Sequence, residues 1–129
     1  MSVTVLLADD SAIIRKAIRQ VLSDHSAVLL VGEAEDLNEA LLKAEQLRPD
    51  VLLFDLHLAE KYKQSQGNFI FGDVKLLAMT FGIDEGSRAL ADRVGVKKLV
   101  DKIDLARHLV PAILGLGGDS SDKSLSRPA

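Results

Sequence analysis

The 129-residue chain has no cysteine, no tryptophan, a single tyrosine and three prolines. Without cysteine it can form no disulfide, no thiolate metal centre and no sulfur nucleophile. Long hydrophobic runs are missing as well. Charge interrupts each apolar stretch after a few residues, which excludes a membrane-spanning helix and the apolar segment of a secretory signal peptide. Nor is there a surplus of positive charge: 16 Lys and Arg stand against 19 Asp and Glu, a net of −3, and the bases are scattered. That pattern offers no basic stripe for nucleic acid. What the chain does have is 47% hydrophobic residues, more than a disordered segment carries and enough for one domain with a sizeable core. The expectation is a cytoplasmic globule that contacts neither nucleic acid nor membrane directly.

Apolar runs alternate with segments of helical periodicity, the pattern of βα units around a parallel sheet. Val3 to Ala8 reads as a first strand. Ser11 then opens a helix with a stripe of Ile14, Ala17, Ile18, Val21 and Leu22. Ala27 to Val31 reads as an edge strand, and Asp36 with Glu39 as a capping box for a helix that Pro49 prevents from continuing. Val51 to Phe54 has no polar alternation, so it is expected at the centre of the sheet, buried on both faces. Leu56 to Asp73 has no convincing stripe and predicts at most a short or irregular third helix. Val74 to Met79 predicts a fourth strand ending at Thr80. Ile83, Ser87, Leu90 and Val94 trace a helix stopped by Gly95, and Val96 to Val100 predicts a fifth strand. Asp104 is placed to cap a last helix through Leu105, Leu109, Ile113 and Leu116, which Pro111 should kink or divide. The folded part is expected to span 1–116, with 117–129 a disordered tail or linker.

Chemistry concentrates at the strand ends. The first strand runs into Asp9 and Asp10, the third into Asp55 and the fifth into Lys102. In an open parallel sheet these ends share one crevice. Three carboxylates there resist full ionisation unless a cation compensates them, which points to a divalent ion.

The stretches LLADDS, RPDVLLFDL, VKLLAMT and LVDK, in that order and with Thr80 and Lys102 at the family's spacing, resemble the receiver domain of two-component response regulators. The wording of the first two is most similar to receivers that precede LuxR-type helix-turn-helix domains. The resemblance implies a doubly wound, five-stranded parallel sheet of order 2-1-3-4-5 with helices on both faces. It implies that Asp55 accepts a phosphoryl group from a sensor histidine kinase or a histidine phosphotransfer protein. Asp9, Asp10, Asp55 and the main-chain carbonyl of His57 would hold Mg²⁺, whereas Thr80 and Lys102 would contact the phosphoryl group. The chain would then not be an enzyme in the ordinary sense, but would assist its own phosphorylation and dephosphorylation. A second copy or an output protein would dock on the face of the fourth helix, fifth strand and fifth helix.

Several positions depart from the family pattern. Ala59 stands in place of the usual proline, and the span from Asp55 to Thr80 is a few residues short. Phe81 occupies a place the family fills with a very small residue, so Phe81, Gly82 and His57 are expected to modulate access to Asp55. Leu99 stands at the output-switch position, where the family has an aromatic ring. These departures leave open a second reading, a pseudo-receiver that binds partners without phosphorylation. A third, a haloacid-dehalogenase-type phosphatase, wants a second acid where His57 stands.

Overall fold

In the computed structural model, residues 2–66, 72–96 and 98–126 are described, with side chains to 61, over 72–96 and over 98–117. Part of the stretch from Leu56 to Asp73, including Phe69, Ile70 and Phe71, lies outside the described residues. The elements alternate as β1 (Val3–Ala8), α1 (Ala12–Ser23), β2 (Val28–Ala34), α2 (Leu37–Leu47), β3 (Val51–Asp55), α3 (His57–Gln66), β4 (Lys75–Thr80), α4 (Glu85–Val94), β5 (Leu99–Asp101), a 3₁₀ turn (Lys102–Asp104) and α5 (Leu105–Ser126). All strand pairs are parallel, and the order is β2-β1-β3-β4-β5. This is the doubly wound, flavodoxin-like architecture that the resemblance implies, and its βα alternation follows the apolar pattern of the sequence.

The period of two along the central strands divides the core into two layers. Leu6, Ala8, Leu52, Phe54 and Ala78 pack against α2, α3 and α4 through Leu37, Ala40, Leu58, Leu90 and Val94. Val5, Leu7, Val51, Leu53, Leu77 and Met79 pack against α1 and α5 through Ile18, Leu22, Leu109 and Ile113. All five residues of β3 are buried, as the lack of polar alternation predicts. Of the α1 stripe, Ile18 and Leu22 are buried and Ala17 is exposed.

The edges of the elements depart from the expectations for local reasons. β2 runs on to Ala34 because a register irregularity between Val5 and Leu6 lets Leu6 pair with Gly32 and Ala8 with Ala34. Gly32 suits that place: a Cβ there would lie 2.9 Å from Leu47 Cδ1. Asp36 accepts from Glu39 N at 2.7 Å, but the Glu39 carboxylate returns to Glu35 N at 2.8 Å rather than to Asp36 itself. α4 begins after Asp84, which forms a reciprocal capping box with Ser87, so Ile83 precedes the helix. β5 is shorter than expected. Val96 is buried, but its amide donates to Ala91 O at 2.8 Å and closes α4 instead of joining the sheet. A 3₁₀ turn capped by Asp101 comes between β5 and α5, and Asp104 ends that turn immediately before α5. Pro111 lies exposed inside α5 and does not divide it. The backbone of α5 continues past 116 to Ser126, and Gly117 lies so close to β1 that a Cβ would come within 2.6 Å of the Val3 side chain.

Candidate phosphoryl and metal site

β1 and β3 are neighbours, and the helices that follow them lie on opposite layers, so the crevice between their carboxyl ends is the topological switch point of the sheet. β1 delivers Asp9, which is fully buried. β3 delivers Asp55, with a side chain 13% exposed. The chain turns into a helix after both, and each carboxylate stabilises its own turn. Asp9 Oδ1 accepts from Ser11 N at 2.9 Å, and Asp55 Oδ1 accepts from His57 N at 2.9 Å. The opposite oxygens face Lys102. Its Nζ donates to Asp9 Oδ2 at 2.8 Å and to Asp55 Oδ2 at 2.9 Å.

Lys102 has a side chain only 4% exposed. Burial pulls its ammonium towards neutrality, but the hydrogen bonds and charges of Asp9 and Asp55 outweigh that pull and hold its pKa above the ordinary 10.5. Asp10 lies at the mouth with a side chain 59% exposed, and its nearest cation is Lys61 Nζ at 4.0 Å. One carboxylate oxygen from each of Asp9, Asp10 and Asp55 lies within 4.8 Å of the others. Lys102 compensates one of the three carboxylates, and the only other cation near them among the described ion pairs is Lys61, 4.0 Å from Asp10 and exposed, so the cluster keeps an excess of negative charge. A donor set of hard carboxylate oxygens, part buried and part open to water, suits a small divalent cation that retains some of its own waters. The residues present therefore fit a bound Mg²⁺.

The rim comes from β4 and β5. Asp55 pairs with Met79, which accepts from Leu56 N at 2.8 Å, and Thr80 is the next residue, buried at the end of β4. Phe81 turns outward with 63% of its surface exposed, yet its ring centroid lies 5.2 Å from Lys102 Nζ, within cation–π range. Gly82 follows at φ 75°, a left-handed conformation that glycine adopts without strain. His57 begins α3 with its side chain 72% exposed and Nδ1 3.3 Å from Glu60 Oε1, so its ring faces solvent beside the site. Leu99 is half-buried against the α2–α4 layer of the core.

The structure thus gathers Asp9, Asp10, Asp55 and Lys102, and sets Thr80, Phe81 and Gly82 along the rim. Two contributors were not foreseen. Arg15 Nη1 donates to the carbonyl of Asp9 at 2.7 Å, bracing the turn that carries two of the acids. Asp101 Oδ1 accepts from Gly82 N at 3.2 Å and from Ile103 N at 2.9 Å, tying the rim to β5. Those backbone hydrogen bonds, Ile103 foremost, hold its carboxyl below the ordinary 3.8. A clue to Arg15 was its place one turn into α1 after the acid pair.

Residues 5–62 match the family model described as the response regulator receiver domain. The response regulator protein VraR of Staphylococcus aureus is 30% identical over 116 residues, 88% of this chain and 56% of VraR. A protein-glutamate methylesterase/protein-glutamine glutaminase of Syntrophomonas wolfei is 37% identical over 59 residues, 46% of this chain and 17% of that protein. The chain therefore spans about half the length of VraR and a smaller part of the methylesterase. The fold superposes on the non-phosphorylated receiver domain of RcsB from Escherichia coli with TM-score 0.75 and 22% identity, covering 92% of this chain and 95% of that one. Among the described residues no helix is long and apolar enough to cross a membrane. Sequence match, strand order and strand-end chemistry agree, and this chain belongs to the response-regulator receiver domain family of two-component systems.

Proposed function

We propose that this receiver accepts a phosphoryl group on Asp55 in a Mg²⁺-dependent reaction, with a sensor histidine kinase or a histidine phosphotransfer protein as donor. The observation that supports it best is the placement of Asp55: a carboxylate at the end of a fully buried strand, 2.9 Å from a buried ammonium, among acids that leave an excess of negative charge. An acid in that position costs desolvation energy that a purely structural role does not require.

In this reading an Asp55 oxygen attacks the donor phosphorus, the bond to the donor's nitrogen or oxygen breaks, and an acyl phosphate forms. Asp9, Asp10, Asp55 and the His57 carbonyl hold Mg²⁺, which when bound would neutralise phosphoryl charge. Lys102 is freed from Asp55 as that carboxylate becomes the acyl phosphate, and its ammonium turns to a phosphoryl oxygen. The Thr80 hydroxyl donates to another. Leu99 lacks the ring through which other receivers report such a change, so output passes by another route on the face of α4, β5 and α5. The receiver domain is taken to span 1–116, with 117–129 a tail or linker whose backbone to Ser126 extends α5. The setting is cytoplasmic.

Incubation with acetyl phosphate and Mg²⁺ followed by intact-mass analysis tests the reading. One phosphoryl adduct is expected, absent in Asp55→Asn and after chelation of the metal. A chain that stays unmodified with acetyl phosphate and with a phosphohistidine donor overturns the reading in favour of a phosphorylation-independent interaction module.

A further inference from the structure

Lys102 Nζ carries three N–H donors, and two of them are taken by Asp9 and Asp55 at 2.8 and 2.9 Å. The Phe81 ring stands 5.2 Å from the same nitrogen. A phosphoryl oxygen approaching the ammonium therefore competes with the aromatic ring or with a carboxylate. The ring belongs to the loop between β4 and α4. Thr80 is fixed by pairing with Asp101 in the sheet, and Asp84 is fixed by its capping box with Ser87. Between them the loop turns through the positive φ of Gly82, whose amide donates to Asp101 Oδ1, and the neighbouring Ile83 backbone also favours that carboxylate. Asp101 is itself held, because its strand pairs with β4 and the same oxygen caps the 3₁₀ turn through Ile103 N. It immediately precedes Lys102, so one short segment carries both the ammonium and the group that fixes the ring above it.

We infer that Asp101 is a positioning residue: by anchoring the Gly82 amide it holds Phe81 over Lys102 and makes the β4–α4 loop a latch on the approach of the phosphodonor to Asp55. The inference rests on the phosphoryl-transfer reading above, but the latch has a geometry of its own that can be measured without phosphoryl transfer. The ionised carboxylate makes a stronger acceptor for the amide than a neutral amide oxygen would, so charge at 101 matters as well as shape. Its substitution changes the position of the ring and leaves the metal-holding acids untouched.

The test has two arms. In the first, NMR of the whole chain follows the Lys102 ε-methylene protons, which the Phe81 ring current moves upfield. Phe81→Ala abolishes that displacement and Asp101→Ala reduces it, together with a shift of the Gly82 amide. Asp101→Asn, which preserves the shape of the side chain, gives a smaller reduction. An unchanged Lys102 signal in Asp101→Ala overturns the latch whatever the phosphorylation chemistry does. In the second arm, the rate of Asp55 modification by acetyl phosphate is measured at saturating Mg²⁺. Asp101→Ala and Phe81→Ala each accelerate it several-fold, and the double variant is no faster than Phe81→Ala, because the latch acts only through the ring. Mg²⁺ affinity, measured by calorimetry, stays within twofold in both single variants. Effects that multiply in the double variant, or a rate that falls in Asp101→Ala, overturn the inference. If no variant nor the parent is modified while the NMR arm behaves as described, the phosphoryl-transfer reading fails and the latch geometry stands.

Discussion

Two ion networks in this protein are built on opposite ratios of charge. At the strand ends one buried ammonium serves two carboxylates, Asp9 fully buried and Asp55 nearly so, with the Lys102 side chain 4% exposed, and a third acid, Asp10, stands at the open mouth beside them. Along the outer side of β2 one acid is shared among bases. Glu33 accepts from Arg19 at 2.8 and 3.1 Å and lies 3.3 Å from Arg15, while Lys43 donates to its main-chain carbonyl. The β2 network fastens α1 and α2 to the edge strand with its charges compensated in a wet setting, so it contributes modestly to stability and is screened by salt. The strand-end network keeps charge uncompensated where the dielectric is low, an arrangement that weakens the fold unless a cation or a phosphoryl group completes it. The contrast separates residues that hold the domain together from residues held in readiness.

Removing Lys102 is the strongest way to break that contrast. In Lys102→Met two buried carboxylates face each other without a counter-charge, and the expected loss is about 3–5 kcal/mol in urea denaturation at neutral pH. In the parent protein the Lys102 pKa is raised in the folded state, so its contribution is complete below 10.5 and is lost as the pH climbs through the folded value. Stability curves of the two proteins should converge in alkali. A deficit in Lys102→Met that is independent of pH would mean that packing of the lysine stem, and not charge, dominates.

Metal titration sharpens the same contrast with a smaller effect. A divalent ion at 100 times its dissociation constant stabilises the folded state by about 2.7 kcal/mol. Thermal melts with and without Mg²⁺ should show that gain in the parent protein. Asp10→Asn removes the acid that Lys102 does not reach, so the metal-free protein is expected to become slightly more stable, by about 0.5–1 kcal/mol, and its response to Mg²⁺ to collapse. A destabilised Asp10→Asn would show that the charge excess is already relieved by Lys61.

The same division governs what could be read from the sequence. β1, β3 and β4 were legible because strands buried on both faces carry unbroken apolar runs, and strand ends converge whatever lies between them. That was enough to bring Asp9, Asp10, Asp55 and Lys102 together. The rim was less legible, because its geometry is set by loop hydrogen bonds that have no periodicity. Asp101, a lone acid between Val100 and Lys102, carries no pattern in the sequence that marks it, and only the fold brings the Gly82 amide to it. Phe81 reads as an obstruction to Asp55, and only its outward turn over Lys102 shows which charge it meets. The apolar pattern of β2 stops at Val31, three residues before the strand ends at Ala34, because Glu33, the centre of the surface network, interrupts it. The apolar pattern of β5 starts before the strand does, because Val96 is as apolar as a strand residue but spends its amide on α4.

The smallest effect falls on Glu33. Hydrogen bonding from Arg19, its largest influence, outweighs a partial desolvation and holds the Glu33 carboxyl below its ordinary 4.5. A depressed folded-state pKa contributes stability that is present above 4.5 and disappears as the pH falls through the folded value. Glu33→Gln should therefore be weaker than the parent by about 1 kcal/mol or less at pH 7, with the gap closing on acidification as the parent loses its advantage. Added salt should close the same gap at neutral pH, because the side chains of Arg19 and Glu33 are 52% and 25% exposed. The Lys102→Met deficit should largely survive the same salt, since charges as buried as Asp9 are screened far less than exposed ones. If salt erased both deficits equally, the strand-end cluster would be as solvated as the β2 network, and its unbalanced charge would need no metal to explain it.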